Sequence, residues 1–342
     1  MIHRNRSLDV LRGLAILLVL GRHNEYYSLW QRAGWIGVDL FFVLSGFLIS
    51  GLLFSEYAET GTINLGRFLL RRGLKIYPAY YFFVLFWLPF NLHQLKLSDL
   101  FFMQSYFPGY WGHGWSLSVE EHFYLLLPLI LLFSIWIAPH SRFAWIPYAC
   151  PVVILACLAM RVLTVHADVG TTINYTHLRF DGLFAGVTLG WLQCFHPGAL
   201  RLKNHLRNAL CLCGLFLASG GFLFNQTDLR MFTVGLTANL LGFSALLVCA
   251  LNTPWLGGLR PLARIGFYSY SIYLWHWVIG KLFPIWFPPS FISFWSYALI
   301  SIVIGIAAAK LIEAPVLRFR DRYVPSCRRA ESVPGGIASC AT

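Results

Sequence analysis

Charge is what this sequence has least of. Only 12% of its 342 residues are Asp, Glu, Lys or Arg, against 58% hydrophobic and 17% aromatic residues, and the mean hydropathy is +0.63. Water-soluble domains carry about 25% charged residues, so a soluble enzyme or binding module is excluded. The eight cysteines show neither zinc-site spacing nor a disulfide framework. Six of them (Cys150, Cys157, Cys194, Cys211, Cys213 and Cys249) sit within or at the ends of apolar runs, where packing accounts for them. The histidines lack ligand spacing, so no metal is expected. There is no obvious internal repeat, and no soluble second domain is expected. The first apolar run follows basic residues, as a signal peptide does, but it lacks a small-residue cleavage site and is expected to be a retained helix.

What the sequence has in quantity is apolar runs of about 20 residues, the length that crosses about 30 Å of hydrocarbon. Ten are expected as helices, at 8–28, 33–54, 74–92, 115–138, 144–164, 177–195, 206–224, 231–251, 265–287 and 292–314. The stretch LSDLFFMQSYFPGYWGHG, 97–114, is the weakest region and reads as a surface or re-entrant segment. The fold class is therefore all-α: a polytopic integral membrane helix bundle of about ten transmembrane helices over 1–317. A basic, then Gly/Ser/Pro-rich tail follows at 318–342 and is expected to be disordered and cytoplasmic.

The formal net charge of +12 would suit nucleic acid or a membrane, and its distribution decides between them. With a cytoplasmic N-terminus, 17 of the 26 Lys and Arg fall in inner loops and seven in outer ones. That is the positive-inside asymmetry. Both termini are expected in the cytoplasm, the lipid bilayer is the expected partner, and no nucleic acid is needed.

An ionisable residue in a spanning helix costs about 2.5–3.5 kcal/mol on the insertion scale and tends to be paired or functional. In SLDVLRGLAILLVLGRH, Arg12 and His23 are eleven steps apart, about three turns and about 16 Å, on one helix face. Either they flank a chemical path, or Arg12 snorkels to phosphates and His23 caps the outer end. Asp39 stands near the outer start of the second run, suited to orient His23 or to serve as a helix-start charge; Ser45 and Gly46 suit close helix packing. WSLSVEEHFYLLLP opens the fourth run, with Ser116, Glu120 and Tyr124 on one face by i, i+4 spacing. Glu121, three residues after Ser118, also fits a capping box. Arg179 and Asp181 open the sixth run and read as a site pair or an interfacial pair. Ser269, Tyr273, Trp275 and His276 in the ninth read as site groups or as an aromatic belt. Arg71, Arg72 and Lys75 at the start of the third suit either anchoring or a phosphorylated ligand. Together these residues predict one outer polar layer holding His23, Asp39, Glu120, Arg179 and His276.

These motifs, taken in order, resemble the membrane-bound acyltransferase 3 family over residues 6–317. RSLDVLRGLAILLVLGRH is similar to its first-helix motif of a basic residue, ten residues and a histidine. GVDLFFVLSGFLIS is similar to its second-helix signature, HGWSLSVEEHFYLLLP to its most diagnostic block (His113, Trp115, Ser116, Glu120, Glu121, Phe123, Tyr124), and YSYSIYLWHW to its late aromatic–histidine motif. His122 stands where the family has Gln and Gly114 where it has Thr, and its inner-loop arginine pair appears as Arg72 and Lys75. The resemblance implies an acyltransferase of the bacterial cytoplasmic membrane with no resident cofactor. It would move an acyl group, acetyl expected, from cytoplasmic acyl-CoA to a hydroxyl of a glycan or glycoconjugate. His23 is expected as base, Asp39, Glu120 and Glu121 as acidic partners, and Arg12, Arg71, Arg72 and Lys75 as donor-binding groups. Ser45, His113, Trp115, Ser116, Tyr124, Arg179, Asp181, Tyr273 and His276 are expected to line the site. The alternative is a transporter using the same groups as a proton relay.

Overall fold

The computed structural model describes residues 5–23, 28–91, 94–166 and 168–325. Most of the expected tail, 326–342, lies outside the described residues, as do 24–27 and 92 in two expected runs. Among the described residues every regular element is helical. Ten longer helices lie over the ten apolar runs in order. They are α1 (Arg6–Arg22), α2 (Ile36–Thr60), α3 (Leu65–Asn91), α4 (Gly114–Ile137) and α5 (Ile146–Leu163). The second five are α6 (Phe180–Phe195), α7 (Asn204–Ala218), α8 (Leu236–Leu251), α9 (Ser269–Trp286) and α10 (Phe291–Ala308).

Among the described residues six stretches are long and apolar enough to cross a membrane: Leu29–Thr60, Gly114–Ile137, Ile146–Leu163, Asn204–Leu223, Met231–Leu251 and Phe291–Tyr323. The apolar stretch containing α2 is 72% buried within the protein, whereas those of α5 and α7 are 17% buried, so α2 is central and the other two face outward. Outward-facing Leu125, Leu129, Phe133 and Trp136 on α4, and Leu299 and Val303 on α10, present hydrocarbon to the surroundings, as expected of helices solvated by lipid. The remaining helices are short or polar. α1 has 17 residues and α6 has 16, about 24–26 Å at 1.5 Å per residue, and both are sheltered by neighbours that tolerate their charges.

Small residues set the spacing at the centre. Gly182, Gly186 and Gly190 form a stripe at i, i+4 on α6, and a Cβ on Gly186 would lie 2.2 Å from the carbonyl oxygen of Val43 on α2. A Cβ on Gly46 of α2 would lie 1.9 Å from the Leu183 carbonyl oxygen. The two backbones touch, the close crossing that glycine stripes permit between membrane helices. Gly186→Val forces α2 and α6 apart and is expected to cost about 1–3 kcal/mol, the usual overpacking penalty, read as a lower unfolding temperature in detergent. An unchanged transition would show that the crossing is not close.

Two expected runs are interrupted. The first, expected to reach residue 28, stops as a helix at Arg22 with His23 as its cap. The short helix Ser28–Ala33 lies so close to α1 that Trp30 fills the place of a Gly21 Cβ. The ninth divides at Tyr268 into Arg260–Phe267 and α9. The first piece is drawn against α1, where a Cβ on Gly266 would lie 1.8 Å from the Asp9 carbonyl oxygen. The last helix passes through a π turn, Ala309–Glu313, into Ala314–Tyr323, continuing beyond the expected boundary at 317/318. Pro315, with no N–H to give, accompanies the widened turn.

The segment 97–114 is fastened to α3 and α4. Tyr80 donates to the Asp99 carbonyl (2.6 Å) and Tyr81 to that of Leu100 (2.8 Å). The Asp99 carboxylate accepts from the backbone N–H groups of Lys96 and Tyr110. The Gln104 backbone N–H donates to Ser118 (3.0 Å). These bonds deliver His113 and Trp115 to the head of α4.

Candidate active site

Two cavities lie at opposite ends of α1. The larger, about 740 Å³, is at the Arg12 end and gathers Arg12, Ser45, Arg72, Lys75, Glu120, Glu121 and Tyr124 among apolar walls that include Phe41, Leu48 and Ile76. Arg72 and Lys75 are three apart on α3 and share a face, which directs both into the cavity. Arg71, about 100° around the helix, turns instead to Asp321 (3.0 Å) and the Val324 carbonyl. Arg71 was expected beside Arg72 and Lys75; the structure gives it a partner in the C-terminal helix.

Glu120 lines this cavity. Tyr124 donates its hydroxyl proton to Glu120, and Ser45, 3.1 Å from the Tyr124 oxygen, is left to donate to Tyr124. The Arg72 guanidinium lies 5.9 Å from the centre of the Tyr124 ring, a cation over an aromatic face. Glu121 accepts from Tyr77 (3.0 Å), and its other oxygen is buried with no partner among the described residues. The i, i+4 spacing thus places Glu120 and Tyr124 together as expected, while Glu121 faces α3.

The smaller cavity, about 270 Å³, is at the other end and is lined by Arg22, His23, Gln31, Trp277, Lys281, Ser293 and Tyr297, among others. His23 is exposed there. Its ring stacks on Trp277, with centres 5.8 Å apart and planes 16° apart, and lies 5.1 Å from His276. His276 is fully buried and His113 nearly so, with ring centres 5.6 Å apart. His276 Nδ1 lies 2.5 Å from the Tyr273 carbonyl and donates to it. The lone pair of the neutral ring is thereby left on Nε2, which has no partner among the described residues. The Tyr273 hydroxyl donates to the His113 carbonyl (2.9 Å) and lies 2.5 Å from Ser116. Three histidines converge here, yet among the described residues no group of His, Cys, Asp or Glu is arranged to hold a metal ion.

A void of about 80 Å³ lies between the two regions. It shares Arg12 and Glu120 with the large cavity, and it touches Ser116 and Tyr273 of the histidine layer. The polar groups therefore form a line from Arg72 and Glu120, past Ser116 and Tyr273, to His276 and His23.

Asp39, Arg179 and Asp181 lie off that line. Arg179 forms an ion pair with Asp39, and Asn239 donates to the other Asp39 oxygen (3.0 Å). Arg161 pairs with Asp181 (2.7 Å) and bonds Thr237 (2.9 Å). Trp115 and Phe42 each lie 5.6 Å from the Arg179 guanidinium. The single layer read from the sequence is thus divided into three groups: His23 with His276, Glu120 with Tyr124 and Arg72, and Asp39 with Arg179. Asp39, expected to orient His23, is instead paired with Arg179 and Asn239. Depth along a helix follows from sequence position, but the direction a residue faces depends on which helices are neighbours. Arg161, Asn239, Trp277 and Lys281 were not singled out. Arg161, an arginine inside an apolar run, was a readable signal; Trp277 and Lys281, four apart on α9, were a weaker one.

The family of the acyltransferase domain (acyltransferase 3) matches residues 5–313. YrhL of Bacillus subtilis is 29% identical over 321 residues, covering 80% of this chain and 48% of that protein. The peptidoglycan O-acetyltransferase OatA of Listeria monocytogenes is 28% identical over 310 residues, 81% of this chain and 49% of its own. The O-acetyltransferase OatA of Staphylococcus aureus is 27% identical over 311 residues, 80% and 50% respectively. The chain spans about half the length of these curated relatives. No solved structure matches it. The match runs from the start of α1 to the π turn after α10 and contains both cavities and the polar line between them: the chain belongs to the acyltransferase 3 family.

Proposed function

We propose that the chain is a multi-pass membrane O-acetyltransferase that takes its acyl group from acyl-CoA in the Arg12-end cavity, facing the cytoplasm, and passes it to a hydroxyl of a glycan acceptor at the His23 end. One observation carries the reading. A cavity that holds Arg12, Arg72 and Lys75 alongside Asp9, Glu120 and Glu121, large enough for part of a nucleotide thioester, and a cavity exposing an imidazole are joined through a line of hydrogen-bonding groups. Two of the relatives bear the name peptidoglycan O-acetyltransferase, which supports a cell-wall glycan as the acceptor class.

Arg12, Arg72 and Lys75 bind the donor's phosphates, and the thioester reaches toward Ser116 and Tyr273. His23 takes the proton of the acceptor hydroxyl, the oxygen bonds to the acyl carbon, and the C–S bond breaks. The thiolate then leaves and is protonated by the imidazolium. His276, adjacent to His23 with a free Nε2, holds the positioning role expected of Asp39. Glu120, ordered by Tyr124 and Ser45, lines both the donor cavity and the void that adjoins it.

The test uses purified protein in sealed proteoliposomes with radiolabelled acetyl-CoA and peptide-stripped peptidoglycan strands. Transfer is expected when donor and acceptor are on opposite sides. The double substitution Arg72→Ala, Lys75→Ala is expected to raise KM for acetyl-CoA about tenfold, about 1.4 kcal/mol of binding, with KM for the strands unchanged. Absence of transfer by the wild-type protein, or an unaltered donor KM in the variant, would overturn the assignment.

A further inference from the structure

The His23-end cavity carries a charge pattern that the transfer chemistry does not require. Arg22 and Lys281 stand on either side of His23, and among the described residues no Asp or Glu lines the cavity. Both cations are fixed. The Arg22 guanidinium donates to the Gln31 carbonyl (3.0 Å) and to the Gln226 side chain (3.4 Å), neither of them anionic. Lys281 Nζ lies 4.6 Å from the centre of the Trp277 ring, the ring that stacks on His23. A neighbouring cavity shares Arg22 and Gln31 and adds Arg32, whose Nε has no partner among the described residues. The charge therefore extends along the approach to His23.

The opposite wall supplies a second kind of group. Tyr297 lines the cavity and is only 1% exposed, and its hydroxyl has Ser301, one turn along α10, as a side-chain neighbour. A Cβ on Gly280 would lie 3.5 Å from that hydroxyl and 3.6 Å from the His23 Cβ. The missing side chain of Gly280 thus keeps open a space bounded by the Tyr297 phenol and the proposed base. Two cations with no Asp or Glu lining the cavity among the described residues favour a ligand that brings a counter-charge. With about 270 Å³, near the small end of ligand sites, the space suits one sugar ring with its substituent.

We propose that the acceptor is anionic, and that Arg22 and Lys281 bind a carboxylate or phosphate carried close to the hydroxyl that His23 deprotonates, with Tyr297 bonding the same sugar. The inference rests on the reading of this cavity as the acceptor site. Its chemistry has two sources, a carboxylate on the glycan and the phosphate of a polyprenyl carrier, and the test separates them.

Peptide-stripped peptidoglycan strands with free lactyl carboxylates are compared, as acceptors for the purified protein, with the same strands after conversion to methyl amides. Polyprenyl phosphate in mixed micelles is added as competitor in a parallel series. Expected is a KM at least about tenfold lower for the free acid, a preference of about 1.4 kcal/mol, that falls toward one in Lys281→Met and returns in Lys281→Arg. No preference for the free acid but inhibition by polyprenyl phosphate, lost in Lys281→Met, assigns the anion to the carrier. Transfer to both strands with equal KM and no inhibition by polyprenyl phosphate overturns the inference and leaves the proposed function standing. Absence of transfer to either strand removes the proposed function itself.

Discussion

His23→Ala lowers kcat/KM for acyl transfer by about 10²–10⁴-fold, the contribution of a positioned general base, while the protein folds as before. The second half of that expectation makes the experiment informative. His23 caps α1 through its backbone N–H, which alanine also supplies, and its side chain is exposed in the small cavity rather than packed in the core. Its loss opens space next to Trp277 and His276 without leaving a buried charge. The unfolding temperature in detergent is therefore expected to stay near that of the wild type, and added imidazole is expected to restore part of the rate by entering the vacated space. Wild-type turnover in His23→Ala would end the assignment of the base. A fall in rate matched by a fall in stability would show instead that the ring holds the helix end.

The contrast with His276 follows from burial. His276 has no exposed surface and sits among His113, Tyr273 and His23. Its truncation removes packing as well as any effect on the base, so its activity loss alone does not assign a role. His23 separates chemistry from structure because it combines contact with the cavity and a light structural load.

How much of this was legible in the sequence depends on the kind of statement. The apolar runs located the helices, because a stretch of about 20 apolar residues has few other fates. The eleven-residue interval placed Arg12 and His23 in separate cavities along one helix, since helical rise is a local property. The i, i+4 relation of Glu120 and Tyr124 likewise survived into a direct hydrogen bond. What failed were particular pairings between helices, whereas His23 with His276 and Arg12 with Arg72 and Lys75 did come together. Asp39 and His23 come from adjacent runs, yet Asp39 faces a residue 140 positions away. The reason is that α2 packs on α6 through the Gly186 contact, which directs the acidic face of α2 toward Arg179. Arg71 failed for the same reason, its partner Asp321 lying 250 positions later in the sequence. The small cavity was missed because its two cations, Arg22 and Lys281, come singly from α1 and α9, helices far apart in sequence.

Arg179→Met is expected to destabilise the protein by about 3–5 kcal/mol, the cost of stranding one member of a buried ion pair, and the size follows from the surroundings. The side chains of Arg179 and Asp39 are 3% and 6% exposed, and those of Arg161 and Asp181 are 1% and 5% exposed. The space between the two pairs is about 10 Å³, about the minimum that one water molecule requires. Removing the guanidinium leaves the Asp39 carboxylate with Asn239 as its remaining hydrogen-bond donor, beside Asp181. Because the unpaired charge and not the missing contact sets the cost, Asp39→Leu combined with Arg179→Met is expected to recover most of the stability. Equilibrium unfolding in detergent of the two single variants and the double closes the cycle. Transfer activity measured on the same double variant then answers a separate question. If Asp39 acts only by holding α2 to α6, activity returns with stability, and the polar line from Glu120 to His23 is sufficient. If stability returns and activity does not, the carboxylate takes part in the reaction, and the division of the site into a catalytic line and a separate structural pair is wrong.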